Sequence, residues 1–428
     1  VNRLLKTLCG IKYIGFYIAM AGVLVSGTFS FIVYPRIADS YHAVLDSDHY
    51  GELGFNLWTR RAFSYTSATQ PTVSRGPGYP LLIAGAIAIA SDGYPYIVQG
   101  IQCVLFGLTS LIVFWMAQKL FSRTIAILSS VFCIVYPFLL WYTSRIWIET
   151  LVTFLFTALV ASTLFLFIKP TILRAVLVGG LVGALVLCKS TFLPFVVIVP
   201  LLLGVLTRSN IKWHQLGGIV LTACLLALPW TLRNWNLTGK IIPVHVLAGW
   251  NLHMGDKFVD NYLHSPFSYD SLYGMGKAES DMPDAGSPWK LSGWPVEITQ
   301  ESALIERSIT RYLTDPLFFL KKNIMNMWLF WTLGETPLKT LVIALIQIPL
   351  LVLFILSITR VAKLRKLKSI EGVHIFMVVS YFVLHLPIFA FARLSVVLIP
   401  TMAVYGIGIL EPLLTQPKSS KMAEQSST

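Results

Sequence analysis

Ten apolar stretches recur along the chain, at about residues 12–34, 96–117, 124–143, 149–168, 174–190, 191–207, 215–232, 338–359, 373–391 and 394–412. Each is near the roughly 20 residues that carry an α-helix across a hydrocarbon core. Lipid offers backbone groups no hydrogen-bond partners, so segments of this length must close their own bonds as helices. With 55% hydrophobic residues and a mean hydropathy of +0.71, the 428 residues hold too little polar surface for a soluble fold. The expected fold is an all-α polytopic integral membrane protein with about ten transmembrane helices, in a range of roughly eight to thirteen.

The charge pattern orients this bundle. The chain carries 33 Lys and Arg against 20 Asp and Glu, a net charge of +13. With a cytoplasmic N-terminus, alternate loops collect Arg3, Lys6, Lys12, Lys119, Arg123, Lys169, Arg174, Arg208, Lys212, Arg360, Lys363, Arg365, Lys366, Lys368, Lys418 and Lys421, with only Glu371, Glu411 and Glu424 beside them. The whole positive excess then lies on one face and the opposite face is neutral, as the positive-inside rule requires. The excess therefore marks topology, and no nucleic-acid partner is expected.

Two apolar segments fit poorly as crossings. YPLLIAGAIAIAS at 79–91 is about 13 residues long, and counting it would invert the charge pattern downstream; an interfacial or re-entrant helix is expected. Segment 318–334 carries Lys321 and Lys322 beside Trp328 and Trp331, which suits the outer headgroup level. The organisation expected is a signal-anchor helix (1–34), a first outer loop with interfacial helices (35–95), a transmembrane core (96–232), a second outer loop (233–337), C-terminal transmembrane helices (338–413) and a cytoplasmic tail (414–428). Cys9, Cys103, Cys133, Cys188 and Cys224 all sit in or beside apolar segments, so they are expected as small core residues without a disulfide framework. No phosphate-binding loop of the type G-x-x-x-x-G-K-[ST] occurs.

LDSDHYGEL at 45–53 gathers Asp46, Asp48 and Glu52 in a chain with 12% charged residues. Tyr50, Leu53, Leu57 and Trp58 recur at helical spacing, so an amphipathic helix starting near Ser47 is predicted, with Asp46 at its N-terminal edge. There an acid can act as a cap or as a working carboxylate. Further along come SRGPGYP with Arg75 and Tyr79, SRIWIE with Arg145 and Glu149, Lys189 after VLC, LPWTLRNW with Arg233, GWNLHMGD with Asn251 and His253, and FARLSVVLIP with Arg393.

This succession resembles the C-type glycosyltransferase superfamily, specifically the dolichyl-phosphate-mannose-protein mannosyltransferase-like branch that includes the bacterial transferase adding aminoarabinose to lipid A. The family opens its first outer loop with D-E-x-x-[FY]; Asp46 and Tyr50 match that spacing, with Ser47 where Glu is frequent and an extra acid at Asp48. Arg75-Gly-Pro-Gly-Tyr-Pro stands where the family carries a basic residue ahead of a proline-rich element, and Arg393 with Leu394 resembles its late R-Y-x-x-P. The resemblance covers most of 1–240 and thins across 250–390. It implies a membrane glycosyltransferase, placed in a bacterial inner membrane, that moves a sugar from a polyprenyl-phosphate donor to a lipid, glycan or protein acceptor on the outer face, with inversion.

The residue types suit that chemistry. An acceptor hydroxyl must lose its proton as it attacks the anomeric carbon, which one carboxylate can take. The lipid phosphate leaves as an anion that needs cations more than a general acid. Asp46, Asp48 and Glu149 are the catalytic candidates. Arg75, Arg145, Lys189, Arg233 and Arg393 are the donor-phosphate candidates, each of which could equally snorkel to headgroups. His49, Tyr50, Tyr79, Asn251 and His253 are the sugar or acceptor candidates. A divalent metal is conceivable at Asp46, Asp48 and His49, with His42 nearby, and some relatives work without one. A lipid-linked sugar flippase would bury its polar residues at the membrane midplane, and a polysaccharide polymerase or ligase would place its chemistry in a late loop.

Overall fold

The computed structural model describes residues 12–37, 49–66, 70–207, 211–262, 268–278, 293–364 and 369–414. Among them the secondary structure is helical throughout, without a strand. In chain order the principal helices are α1 (Ile14–Thr28), carried on by a π-helical turn to Ile37, α2 (Tyr50–Arg60), α3 (Gly78–Ile89), α4 (Tyr94–Leu120), α5 (Arg123–Val135), α6 (Pro137–Thr143), α7 (Glu149–Ile168), α8 (Ile172–Cys188), α9 (Phe195–Leu206), α10 (Trp213–Thr238), α11 (Ala248–Asn261), α12 (Tyr269–Ala278), α13 (Trp294–Thr314), α14 (Pro316–Thr332), α15 (Pro337–Lys363), α16 (Ile370–Leu384) and α17 (Ile399–Gly408).

Five of these are long and apolar enough to cross a membrane: α1 with its extension, α4, α7, α10 and α15. The pair α5 and α6, bent by 55° at Tyr136–Pro137, makes a sixth if taken as one broken span. Four further expected crossings fall on shorter apolar helices, at α8, α9, α16 and the stretch ending in α17. The segment set apart as interfacial or re-entrant is the short helix α3, which packs against α2 and α4.

α7 is the axis of the bundle. Its apolar window is 61% buried, against 17% for α10 at the periphery. Without a hydrophobic drive between helices in lipid, close approach must come from small residues. The crossing of α8 and α10 shows this at Gly179, where a Cβ would lie 2.4 Å from the Ile219 carbonyl oxygen. Some polar groups inside the bundle pair across helices: the His374 ring bonds Thr163 Oγ1 (3.0 Å) and Tyr405 OH (2.6 Å), and Tyr136 OH donates to Gln347 (3.0 Å).

The spanning helix expected to end at 232 continues to Thr238. Pro229 does not break it, and Thr231 Oγ1 donates to the Ala227 carbonyl beside the proline (3.2 Å). The four helices α11–α14 form a lobe at the end of the bundle opposite to Lys119, Arg123 and Arg360. On α14, expected at headgroup level, Trp328 is exposed, while Lys322 is fully buried in the protein and Trp331 nearly so. Lys322 Nζ donates to Asp256 Oδ1 (2.8 Å), the Leu252 carbonyl (2.9 Å) and Tyr312 OH (2.7 Å), locking α14 onto α11 and α13. An ammonium can be buried only when its donors are satisfied in this way, which helical periodicity on α14 alone does not reveal. Cys103, Cys133 and Cys188 are buried free thiols and Cys224 is an exposed one.

Candidate active site

Between the bundle and this lobe lies a cavity of about 720 Å³. Its floor comes from the ends of α7 and α8. Glu149 is the first residue of α7, buried to 1%, and Lys189 caps α8. Lys189 Nζ donates to Glu149 Oε1 (3.2 Å), while Arg393 grips the same carboxylate with Nε on Oε1 (2.8 Å) and Nη2 on Oε2 (2.9 Å). A buried carboxylate needs such charge-assisted partners, and here both oxygens have them.

A second group of charges stands beside it. Trp147 is flanked by two guanidiniums, Arg393 at 3.8 Å and Arg145 at 4.3 Å from its ring centre. Arg145 also lies over Trp141 (4.9 Å), donates from Nε to Tyr34 OH (3.2 Å) and approaches Glu335 (3.7 Å). Glu335 pairs with Lys339, four residues on at the start of α15. The segment 143–145 that presents Arg145, at and just past the end of α6, leaves backbone carbonyls without partners within a helix. Gln99 and Gln102 of α4 satisfy them: Gln99 donates to Ser144 (2.7 Å), and Gln102 to Thr143 (3.0 Å) and Arg145 (2.8 Å).

Arg75 reaches the cavity through RGPG. This segment lies so close to the end of α8 that a Cβ on Gly76 would fall 2.3 Å from the Leu187 carbonyl oxygen, and one on Gly78 would fall 2.6 Å from Cys188 Sγ. Glycine at both positions lets Arg75 sit on the wall next to Lys189. The segment is clamped from behind. Glu297 of α13 accepts from Thr72 Oγ1 (2.5 Å) and the Val73 N–H (2.8 Å), and Arg233 donates to the Thr72 carbonyl (2.8 Å). Burial raises the Glu297 pKa above the usual carboxylate range, against the pull of these donors.

The opposite wall is aromatic. Tyr269 stacks on Phe391 at 4.1 Å and on Tyr273 at 5.5 Å, and Phe389 stacks on Phe391 at 5.5 Å; Trp250 and Asn251 of α11 stand beside them. Backbone bonds fix this wall to the charges: Tyr269 N–H donates to Gly334 (2.9 Å), Asp270 N–H to Glu335 (3.1 Å) and Ala392 N–H to Leu333 (2.9 Å). Asp270 faces the cavity with its pKa raised by burial and by Glu335.

Of the residues singled out in the sequence, the cavity brings together His49, Tyr50, Arg75, Arg145, Glu149, Lys189, Asn251 and Arg393. Asp46 and Asp48 lie outside the described residues, as does His42. Three singled-out residues do not line the cavity. Tyr79 is fully buried one layer behind, where its OH donates to Gln102 (2.9 Å) under the Arg145 loop. Arg233 is spent on the Thr72 clamp and on Phe63 and Trp230. His253 is buried within the lobe, its pKa held down to about 4 by burial and by Arg307 and Lys257. Glu335, Lys339, Asp270, His245 and the aromatic wall were missed in the sequence, although GETPLK, with an acid and a base four apart at the start of a long apolar run, carried a signal. Among the described residues no group of three or more His, Cys, Asp or Glu could hold a metal; His49 faces Glu52 at 3.4 Å.

A groove of about 290 Å³ leaves the cavity past Glu335, Lys339, Phe391 and Arg393, all four of which border both spaces. Its walls are otherwise apolar, from Phe29 and Ile37 on the first helix, Phe138 and Trp141 on α6, and Leu338, Val342 and Ile343 on α15.

No family model matches the sequence, and no curated protein matches it. Solved structures do. The chain resembles the oligosaccharyltransferase of Archaeoglobus fulgidus in its apo form (TM-score 0.59, 14% identity, 97% of this chain and 52% of that chain). It also resembles AglB of the same organism, in complex with an inhibitory peptide and a dolichol-phosphate (TM-score 0.57, 13% identity, 97% and 52%). ArnT from Cupriavidus metallidurans bound to undecaprenyl phosphate aligns at a TM-score of 0.37 with 13% identity over 91% of this chain and 77% of that one. The chain spans about half the length of the oligosaccharyltransferases it matches. The likeness to the two oligosaccharyltransferase structures is one of fold.

Proposed function

We propose that the chain is a membrane glycosyltransferase that moves a sugar from a polyprenyl-phosphate carrier to an acceptor, on the membrane face away from the basic loops. The observation that carries this reading is the junction of the two spaces: a cation-lined polar cavity opens directly into an apolar groove, and Arg393 and Lys339 border both. A polyprenyl phosphate has that form, a charged head on an apolar chain. Its phosphate would lie against Arg145, Lys339 and Arg393, with its first isoprenoid units in the groove and the sugar toward the aromatic wall, where flat apolar faces can stack.

In this reading the acceptor oxygen bonds to the anomeric carbon as the bond from that carbon to the phosphate oxygen breaks. The acceptor proton passes to a carboxylate, and the carrier phosphate departs as an anion held by the guanidiniums. Glu149, with both oxygens committed to Lys189 and Arg393, positions these cations and takes no proton. The base is assigned to Asp46, with Asp48 as the neighbouring acid; His49 and Tyr50, which follow them in the chain, line the cavity. Attack from the side opposite the phosphate gives inversion. The resemblance of the fold to an oligosaccharyltransferase that binds a dolichol-phosphate supports this reading. So does the charge asymmetry, since the basic loops lie at the other end of the helices.

The test is mass spectrometry of envelope lipids, glycans and proteins from cells with the gene, without it, and with Asp46→Asn. The reading expects a glycosylated product that disappears in the second and third. An unchanged glycan and glycolipid profile on deletion would overturn it.

A further inference from the structure

His245 belongs to none of the groups considered so far, yet it lines the cavity between Arg75 and Lys189. Its position is fixed from both sides: the carbonyl of Val244 accepts from Trp230 Nε1 (3.0 Å) and Asn234 Nδ2 (2.9 Å), and the Val246 N–H donates to the Val73 carbonyl (2.9 Å). The ring nitrogens are assigned by their surroundings. The backbone N–H of Ser190 lies 3.1 Å from Nε2 and can only donate, so Nε2 is the acceptor and carries no proton. A neutral imidazole then bears its proton on Nδ1. Burial, with Arg75 and Lys189 nearby, holds the ring pKa down to about 3, so the ring stays neutral at physiological pH. Nδ1 is shielded from solvent and has no hydrogen-bond partner among the described residues. A buried donor without an acceptor is unfavourable, and one held this rigidly is arranged for an acceptor supplied from outside the chain.

We propose that His245 Nδ1–H donates to an anionic phosphate oxygen of a bound substrate, so that Arg75, His245 and Lys189 form an anion subsite in the cavity. This rests on the transferase reading of the cavity. Two cations select an anion over a hydroxyl, and the neutral imidazole adds direction that the cations lack. The oxygen belongs either to the carrier's own phosphate or to a second phosphate on the acceptor or on a diphosphate-linked donor.

The experiment uses the full chain in lipid nanodiscs, with polyprenyl phosphate and inorganic phosphate as probes and affinity read by titration. His245→Gln keeps an acceptor near the Nε2 position for Ser190 and loses the Nδ1 donor; His245→Asn keeps a donor near the Nδ1 position. The subsite requires the Gln variant to lose roughly tenfold or more in affinity for one probe while the Asn variant stays close to wild type. A loss for polyprenyl phosphate assigns the oxygen to the carrier. A loss confined to inorganic phosphate bound beside saturating carrier assigns it to a second phosphate. The proposal is overturned if Gln binds both probes as wild type does, or if Asn is the impaired variant, since that order marks a purely structural bond to Ser190. If the wild type binds inorganic phosphate through His245 but no polyprenyl phosphate, the subsite stands and the transferase reading fails. The unsubstituted chain gives a second measurement free of any folding defect: the Nδ1 proton resonance of histidine-labelled protein must shift on phosphate addition, and an unmoved set of histidine resonances overturns the proposal.

Discussion

Arg393 and Glu149, 244 positions apart in sequence, meet through two near-parallel hydrogen bonds of 2.8 and 2.9 Å, and Lys189 closes on the same carboxylate. This cluster joins the late R-L element to the entrance of α7, so the cation proposed to hold a leaving phosphate is aimed by an acid with cationic partners on both oxygens. Removing one member of a buried ion pair leaves the others unpaired and costs about 3–5 kcal/mol. Glu149→Gln is therefore expected to lower thermal stability in nanodiscs and to raise the KM for the lipid donor more than tenfold. Arg393→Lys, which keeps the charge but loses the fork, is expected to behave like a deletion. Thermal melting and donor titration check both variants.

The groove makes a prediction of a different kind. Val342→Trp would fill the path between Phe138 and Leu338 without touching the charges. Affinity for a long-chain polyprenyl phosphate is expected to fall roughly tenfold, about 1.4 kcal/mol, while inorganic phosphate binds as before. Competition titration with the two ligands separates these effects.

The lobe of α11–α14 depends on Lys322. Because its ammonium bonds Asp256, Tyr312 and the Leu252 carbonyl in a buried interface, Lys322→Met leaves the Asp256 carboxylate without its cation, held only by Ser308 and Tyr312, and is expected to destabilise by about 3–5 kcal/mol. The double change with Asp256→Asn is expected to recover part of that loss. Chemical unfolding followed by tryptophan fluorescence measures the coupling as a double-mutant cycle.

Acid should loosen the same lobe. Buried His253 has its pKa lowered from 6.5 to about 4, so between those values the unfolded chain takes up a proton that the folded chain refuses. The stability tied to this group is complete above about pH 6.5 and is lost as pH falls toward 4. Melting temperatures from pH 7.5 to 4.5 should therefore decline more steeply for wild type than for His253→Asn; parallel curves would contradict the assignment.

Much of this was legible in the sequence, for identifiable reasons. Apolar runs and loop charges report helices and their orientation because lipid enforces both. They also place Arg75, Arg145, Glu149, Lys189 and Arg393 at one end of the bundle. Periodicity does not say which side of an end a residue faces, so Tyr79 and Arg233, marked for the site, prove to support it from behind, and His253 packs inside the lobe. Glu335 and His245 stand in connections without periodicity and Lys339 in the first turn of α15, and the contacts that bring them to the cavity span distant parts of the chain. Lys322 misled for the opposite reason: a lysine beside tryptophans matches the headgroup pattern, and only the partner helices reveal the buried acid it answers.

The central claim is that a polyprenyl phosphate sits with its head among the cations and its chain in the groove. The most direct measurement is labelling in nanodiscs with a polyprenyl phosphate that carries a photoreactive group near the phosphate end, followed by peptide mapping. The account predicts crosslinks concentrated on α6 and the start of α15, at Phe138, Trp141, Leu338 and Val342, and their loss in Arg393→Ala. Crosslinks spread evenly over the lipid-facing surfaces of α1, α10 and α15, and unchanged by Arg393→Ala, would contradict it.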